Sequence, residues 1–464
     1  MRKQFLISLF VMMIVCLQIV SGQAKYVFFF IGDGMGVNQV NMAEAYLSAM
    51  NGERGSVSLL MTQFPVASMA STFSADNDVT ESSAAGTALA TGTRTKNGYI
   101  GLDPDLNRLE SIAEKAKKAG KKVGIATTVT INHATPASFY AHQRDRNMYY
   151  EIAQDVISSG VDFFAGGGFE RRDLLFDNTK APDIYPLIEQ AGYYYAKGYD
   201  DFKKNGDKAK KIVLLCENWE RTYGIPYAID YKEKDLTLKQ ITEVAIEALM
   251  RDNNKGFFLM LEAGRIDGAG HANDGATNIK EVIDLDEAVK VAYEFYKKRP
   301  KETLIVIAAD HETGGLVAGS GSLNIRVMSN QKISQERLTE RIRELSTSKN
   351  GAVTWDEIKN LLTETMGFWK EVPINWTREK ALRDAYEETF AQRRDAAGAN
   401  RNFSLISTRA TQVLNEMAGI NWSTGSHSAG FIPVFAVGAG QDLFKGKMHI
   451  TDIPKNISKA ANYK

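Results

Sequence analysis

Apolar residues in this chain gather into short unbroken runs, each followed by a longer stretch where apolar positions recur at helical spacing. The runs at residues 25–31, 67–73, 122–128, 161–165, 212–216, 257–261, 304–309 and 433–437 have the length and continuity of strands buried on both faces. Helices are predicted at 107–119, 148–158, 236–251 and 278–298. In the last, Val282, Leu285, Ala288, Val289 and Ala292 form one core-facing stripe. Strands alternating with helices predict an α/β fold, a doubly wound and mostly parallel central sheet with helices on both faces. One region breaks the rhythm. Residues 333–417 are strongly polar, with helices expected at 333–345, 355–364, 377–394 and 407–417, and they read as a helical insertion that caps the sheet.

Three of the apolar runs end in a carboxylate set among glycines. The run at 25–31 leads into Gly32-Asp33-Gly34-Met35-Gly36, and that at 257–261 into Glu262-Ala263-Gly264-Arg265-Ile266-Asp267. The run at 304–309 leads into Asp310-His311-Glu312-Thr313-Gly314-Gly315. Ligands of open α/β sheets sit beyond the carboxyl ends of the strands. Asp33, Glu262, Asp267 and Asp310 are therefore expected to converge on one crevice. Unpaired buried carboxylates are costly, so such a cluster implies compensating cations and a multi-metal site.

The amino-terminal pattern differs. Arg2-Lys3 precede an apolar stretch at 5–20, followed by Ser21-Gly22. This is the layout of a signal peptide over residues 1–22, cleaved near Gly22, and the stretch is shorter than a membrane span. The expectation is an exported protein, periplasmic or extracellular, whose catalytic domain runs from 23 to 464. Bulky residues before Cys16 argue against lipidation there. Without the leader only Cys216 remains, which excludes an intramolecular disulfide, and Cys216 reads as a core thiol. Lys plus Arg equals Asp plus Glu at 56 each, so the basic surface of a nucleic-acid binder is not expected.

Candidate chemistry lies in four further segments. The small-residue run from Thr80-Glu81-Ser82-Ser83 to Gly92 can open a tightly packed helix, placing the serines where free N–H groups and the helix dipole favour an anion. Taken alone, it reads first as an ordinary capped helix packed closely against a neighbour, by roughly two to one on capping preferences. His133-Ala134-Thr135-Pro136 follows a strand, with Pro136 suited to a first helical position and Thr135 to its cap. Were that helix to continue, His142 and Arg146 would share a face, and Arg146 would be placed to grip a phosphate bidentately. Alone, Arg146 reads as readily as a surface charge. Asp267 and His271 stand four apart in a glycine-flanked loop, and Asp310 and His311 are adjacent. His427 falls in the small polar run Ser423-Thr424-Gly425-Ser426-His427-Ser428. Histidine with carboxylate suits Zn²⁺, and all-oxygen sets suit Mg²⁺. His142 and His449 are read as structural.

Taken in order, these segments resemble the alkaline phosphatase family over nearly the whole chain apart from the insertion. The resemblance implies two Zn²⁺ and one Mg²⁺. It assigns Asp267, His271 and His427 to the first Zn²⁺, and Asp33, Asp310 and His311 to the second, with Ser82 as the nucleophile on that ion. It assigns Asp33, Thr135 and Glu262 to the Mg²⁺ and gives Arg146 two phosphate oxygens. Ser82 is preferred to Ser83 because Thr87 follows it by the family's five-residue offset. The implied activity is hydrolysis of phosphate monoesters through a phosphoserine, and members are commonly homodimers. Three divalent ions and Arg146, set against four carboxylates and an alkoxide, leave about two positive charges, matched to a monoester dianion.

Departures from the family pattern are specific. Glu81 stands where Asp is usual and orients the arginine, and one extra methylene could displace Arg146. His133 replaces an acidic residue found in some members. Gly268 stands where others carry Lys, His or Trp. His133 near the third site and a bare position 268 predict looser Mg²⁺, with Zn²⁺ or Co²⁺ competing. The alternatives are a phosphodiesterase or other hydrolase of the same superfamily, and a non-catalytic exported protein that binds phosphate or metal. Thr135, Glu262 and Arg146 favour small-molecule monoesters. No Cys/Ser-x-Pro-x-Arg sulfatase motif surrounds Ser82.

Overall fold

The apolar run at residues 25–31 becomes the middle of the sheet. In the computed structural model, which describes residues 23–55, 57–217, 224–319, 323–391 and 402–464, strand β1 (Tyr26–Gly32) is buried along its full length. The expected leader at 1–22 and the end of the helix expected at 377–394 lie outside the described residues. The other strands of the main sheet are β2 (Val66–Ser71), β3 (Lys122–Thr127), β4 (Phe163–Gly166), β5 (Tyr193–Lys197), β6 (Lys211–Leu215), β7 (Phe257–Ala263) and β8 (Thr303–Ala309), then β13 (Ile432–Gly438) and β14 (Lys447–His449). Four short strands pair outside it: β9 (Glu312–Thr313), β10 (Leu316–Ala318), β11 (Ile420–Trp422) and β12 (His427–Ser428).

The ten strands run in the order β14-β2-β13-β8-β1-β7-β3-β4-β6-β5. Only β13 among the described strands of this sheet is antiparallel to its neighbours. The sheet is therefore mostly parallel, as its unbroken apolar runs require. Successive side chains point to opposite faces. Phe28 meets Phe295 of one helical layer at 5.5 Å between ring centroids, and Phe29 meets Phe139 of the other at 6.1 Å. Helices cover both faces, and the doubly wound arrangement expected from the pattern is the one observed.

Strands β5 and β14 lay outside the expected set. Both are edge strands; β5 is partly exposed and tyrosine-rich, and β14 has three residues. The helix expected at 107–119 begins only at Ile112. Ser111 caps it, accepting from Glu114 N–H at 3.2 Å while the Glu114 carboxylate accepts from Ser111 N–H at 2.9 Å.

The helices include α1 (Val37–Met50), α2 (Ser82–Thr91), α3 (Ala134–Ala137), α4 (Arg265–His271), α5 (Gly275–Lys298), α6 (Gln335–Ser348), α7 (Trp355–Met366), α8 (Trp376–Ala391) and α9 (Ser404–Ala418). The last four fill the polar region. Their inward residues, including Leu338, Ile358, Leu382 and Leu414, share one apolar cluster with Met42 and Tyr46 of α1 and Ile279 of α5. Asp274 ties this layer to the sheet. Its carboxylate caps α5 through Thr277 and accepts from Gln331 Nε2 at 2.8 Å and from Gln335 N–H at 2.7 Å, at the start of α6.

Candidate active site

Register brings the carboxylates together. Gly32 at the end of β1 pairs with Ala263 of β7 and Ala309 of β8, so Asp33, Glu262 and Asp310 emerge side by side at the carboxyl edge. All three are fully buried. Asp33 Oδ1, Glu262 Oε1 and Asp310 Oδ2 have no hydrogen-bond partner among the described residues. Burial raises Asp33 well above the carboxylate range, with Asp310, Asp267 and Glu262 adding to the effect. Burial likewise lifts Glu262 to about 8, and burial with the Asp267 charge lifts Asp310 to about 7. A native fold that keeps such groups at its centre needs a cation to satisfy them.

Donor atoms converge in three groups: Asp267 with His271 and His427; Asp33 with Asp310 and His311; and Asp33 with His133 and Glu262. In the first group Asp267 and His271 lie one turn apart on α4, a short helix where a loop was expected. His427 arrives on β12, which pairs antiparallel with β9, again in place of a loop. His271 Nδ1 contacts Gly425 O at 2.8 Å and His427 Nδ1 contacts Thr80 O at 3.0 Å. Carbonyls only accept, so each Nδ1 carries a proton. The two Nε2 atoms face each other at 3.1 Å, the orientation a shared ion demands. The hydrogen bond that His271 donates to Asp267 lifts its pKa to about 9, so an ion entering there displaces a proton.

In the second group His311 Nε2 lies 3.2 Å from Asp310 Oδ2 and 3.5 Å from Asp33 Oδ1. Burial drops His311 to about 4, which leaves a neutral ring. Ser82 Oγ sits 3.3 Å from the same nitrogen. Around the third group, Thr135 Oγ1 is 3.4 Å from Asp33 Oδ2, and the Thr127 hydroxyl donates to Glu262. Thr127 was missed as a member of the site.

Ser82 is the first residue of α2 and is buried. Two of the N–H groups expected to be free for an anion are taken. Glu81 caps the helix, accepting from Ser83 N–H at 3.0 Å and Ala84 N–H at 2.9 Å. The same carboxylate accepts from Gly98 N–H at 2.9 Å, from the Ser83 hydroxyl and from Arg146 Nη1 at 2.5 Å. Burial pushes Glu81 up, but Arg146 and the N–H donors outweigh it and hold the carboxyl at about 2.

Arg146 does not reach the site on a continuing helix. α3 ends at Ala137, and Arg146 is held in a later turn by its N–H to Gly98 O at 2.8 Å. His142 points elsewhere, to Leu109 O at 2.8 Å. His133 holds the cap position of α3 and Pro136 its third residue, so Thr135 is not the cap. Arg146 Nη2 lies 3.2 Å from His133 Nε2. A guanidinium has no acceptor, so Nε2 accepts and the neutral ring carries its proton on Nδ1. A side chain at Gly268 would run into the Tyr227 hydroxyl, 2.7 Å from an ideal Cβ, so that direction is occupied.

Comparison with known proteins decides the family. The alkaline phosphatase family model matches residues 24–463. The chain belongs to the alkaline phosphatase family. It is 32% identical to alkaline phosphatase 4 of Bacillus subtilis (strain 168), over 94% of this chain and 88% of that protein. It is 30% identical to the repressible alkaline phosphatase of Saccharomyces cerevisiae, over 90% and 76%. Among solved structures, the cold-active alkaline phosphatase of a psychrophilic Shewanella superposes with a TM-score of 0.79 at 26% identity, covering 94% of this chain and 99% of that one. That of the Antarctic bacterium TAB5 gives 0.66 at 26% identity, over 96% and 99%. As a member of the alkaline phosphatases this chain is a phosphatase, with three residue groups that could hold metal ions. Among the described residues no helix is long and apolar enough to cross a membrane.

Proposed function

We propose that this chain hydrolyses small-molecule phosphate monoesters with Ser82 as nucleophile. The observation carrying this reading is the Ser82 hydroxyl 3.3 Å from His311 Nε2, beside carboxylates whose buried oxygens lack partners. Two Zn²⁺ fit the histidine-bearing groups, Asp267/His271/His427 and Asp33/Asp310/His311, and Mg²⁺ fits the oxygens of Asp33, Thr135 and Glu262. Divalent ions held there would lower the pKa of the serine hydroxyl and of a water, and would offset charge on the phosphate oxygens.

The chain's own groups supply the rest. Ser82 Oγ attacks phosphorus as the ester oxygen leaves, giving a phosphoserine that water then cleaves in line. Arg146, steadied by Glu81 and His133, holds two non-bridging oxygens. Because His133 accepts from Arg146, its role is to position the arginine, which leaves an oxygen-rich third site. A TAB5 variant in which histidine is replaced by glutamate is described with Mg bound in its M3 site. By that likeness, Zn²⁺ or Co²⁺ competes with Mg²⁺ here only if the His133 ring turns from Arg146.

The test is metal content alongside monoesterase and diesterase rates on one purified sample. The expected result is tightly held Zn²⁺, a strong preference for a chromogenic monoester, and a phosphoenzyme lost in Ser82→Ala but kept in Ser83→Ala. A phosphoenzyme that survives Ser82→Ala and disappears with Ser83→Ala would move the nucleophile by one position. Metal retention without turnover would favour the binding-protein reading.

A further inference from the structure

Thr313 belongs to none of the three donor groups, yet its side chain stands between two of them. It is fully buried. Its Oγ1 lies 2.5 Å from Asp267 Oδ1 and 3.2 Å from His311 Nδ1. Asp267 and His311 fall in different groups. A hydroxyl has one proton and two lone pairs, and an ionised carboxylate can only accept. The Thr313 proton therefore goes to Asp267, and the oxygen accepts the Nδ1–H of His311. That direction leaves the His311 Nε2 lone pair facing Asp310, Asp33 and the Ser82 hydroxyl.

Packing fixes the threonine in this pose. An ideal Cβ on Gly34 would lie 2.8 Å from Thr313 Oγ1, and one on Gly270 would lie 3.1 Å from Thr313 Cβ and Cγ2. Gly34 has φ +74, a conformation that favours glycine. Thr313 N–H also donates to Gly34 O at 3.1 Å. Two glycines thus make room for one hydroxyl, and the backbone anchors it.

We infer that Thr313 is a positioning residue linking the two candidate zinc sites: its hydroxyl orients Asp267 of one and sets the tautomer of His311 in the other. This rests on the metal-centre reading proposed above. Without the hydroxyl, His311 Nδ1–H has no acceptor, the opposite tautomer becomes accessible, and Asp267 loses the bond that aims it. Removing an outer partner of this kind costs about 10- to 100-fold in metal affinity. Because one group serves two ligands, both sites should weaken together.

The test uses the full chain stripped of metal and titrated with Co²⁺, followed by its visible absorption, and with Zn²⁺ against a chromogenic chelator. Thr313→Val and Thr313→Ala both lack the hydroxyl, and Thr313→Ser keeps it. The expected result is both tight sites weakened about 10-fold or more in the valine and alanine variants, with serine within about 3-fold of the parent. Alanine is too small to clash and keeps the test open should valine disturb folding. Weakening of one site alone, or losses that follow side-chain size instead of the hydroxyl, would overturn the inference. A parent chain that takes up no ion at either site would remove the metal reading itself, an outcome distinct from a parent that binds and variants that match it.

Discussion

Replacing Glu81 by glutamine tests how much of the site depends on one carboxylate. The side chain accepts from Arg146 Nη1 and Ser83 N–H through Oε2, and from Ala84 N–H, Gly98 N–H and the Ser83 hydroxyl through Oε1. Glutamine offers one acceptor oxygen, so in its better orientation the Arg146 and Ser83 N–H donors face an amide NH₂. A buried donor left unpaired costs about 1–3 kcal/mol, and breaking a buried ion pair about 3–5 kcal/mol. The two side chains are 19% and 25% exposed, so water recovers part of this, and the net cost should be about 3 kcal/mol. For a chain of this length that lowers the melting temperature by only about 3 °C. Activity is the more sensitive readout. Freed from its anchor, Arg146 should cost about 100-fold in kcat/KM toward a chromogenic monoester, as for a misplacement of about 1 Å, while Ser82 is still phosphorylated. The stability difference also has a defined pH course. The folded carboxyl, at about 2, lies below its ordinary value of 4.5, so its contribution is present above about 4.5 and fades as pH falls through about 2. A glutamine variant melting with the parent at neutral pH and losing less than about 3-fold in kcat/KM would refute the reasoning.

Two other outcomes follow from the same structure. Asp33, Glu262 and Asp310 lie above their unfolded values, while His133 and His311 lie below theirs and offset them in acid, so the metal-free native chain binds more protons than the unfolded chain between about pH 6.5 and 8. The carboxylates' contribution is lost as pH rises through 7 and 8; chelator-treated protein should weaken by about 1–3 kcal/mol from about pH 6.5 to 8, added Zn²⁺ should flatten the slope, and a melting temperature that does not change over that range in the metal-free protein would contradict it. Asp274→Ala should destabilise the fold by about 2–4 kcal/mol by uncapping α5 and leaving Gln335 N–H without an acceptor. Limited proteolysis should then cut first within α6 to α9, and unchanged resistance there would mean the helical layer is held by apolar contacts alone.

The legible part of the site was the part encoded locally. Asp33, Glu262 and Asp310 are read from the chain because each ends an apolar run, and parallel register carries the ends of such runs to one edge. Ser82 at a helix start follows from the small-residue run behind it. What could not be read was direction. Arg146 looked like a helix-borne neighbour of His142, but α3 ends after one turn and a bond to Gly98 O brings the arginine in from elsewhere. The N–H groups at α2 looked free for phosphate, but Glu81 fills those of Ser83 and Ala84. The first error comes from a contact between residues far apart in sequence, and the second from a local side-chain cap two and three residues away; periodicity encodes neither.

Strand continuity and helical spacing along the chain were enough to settle a doubly wound sheet and to place its acidic residues at the ligand-binding edge, because burial on two faces and backbone pairing leave few other arrangements. Only the tertiary structure decided what each side chain faces: Thr313 set between ligands of two sites, His133 turned to Arg146, and Tyr227 filling the space beside Gly268. Such choices depend on distances of a few tenths of an ångström between distant segments, and those are fixed only when the whole core closes around them.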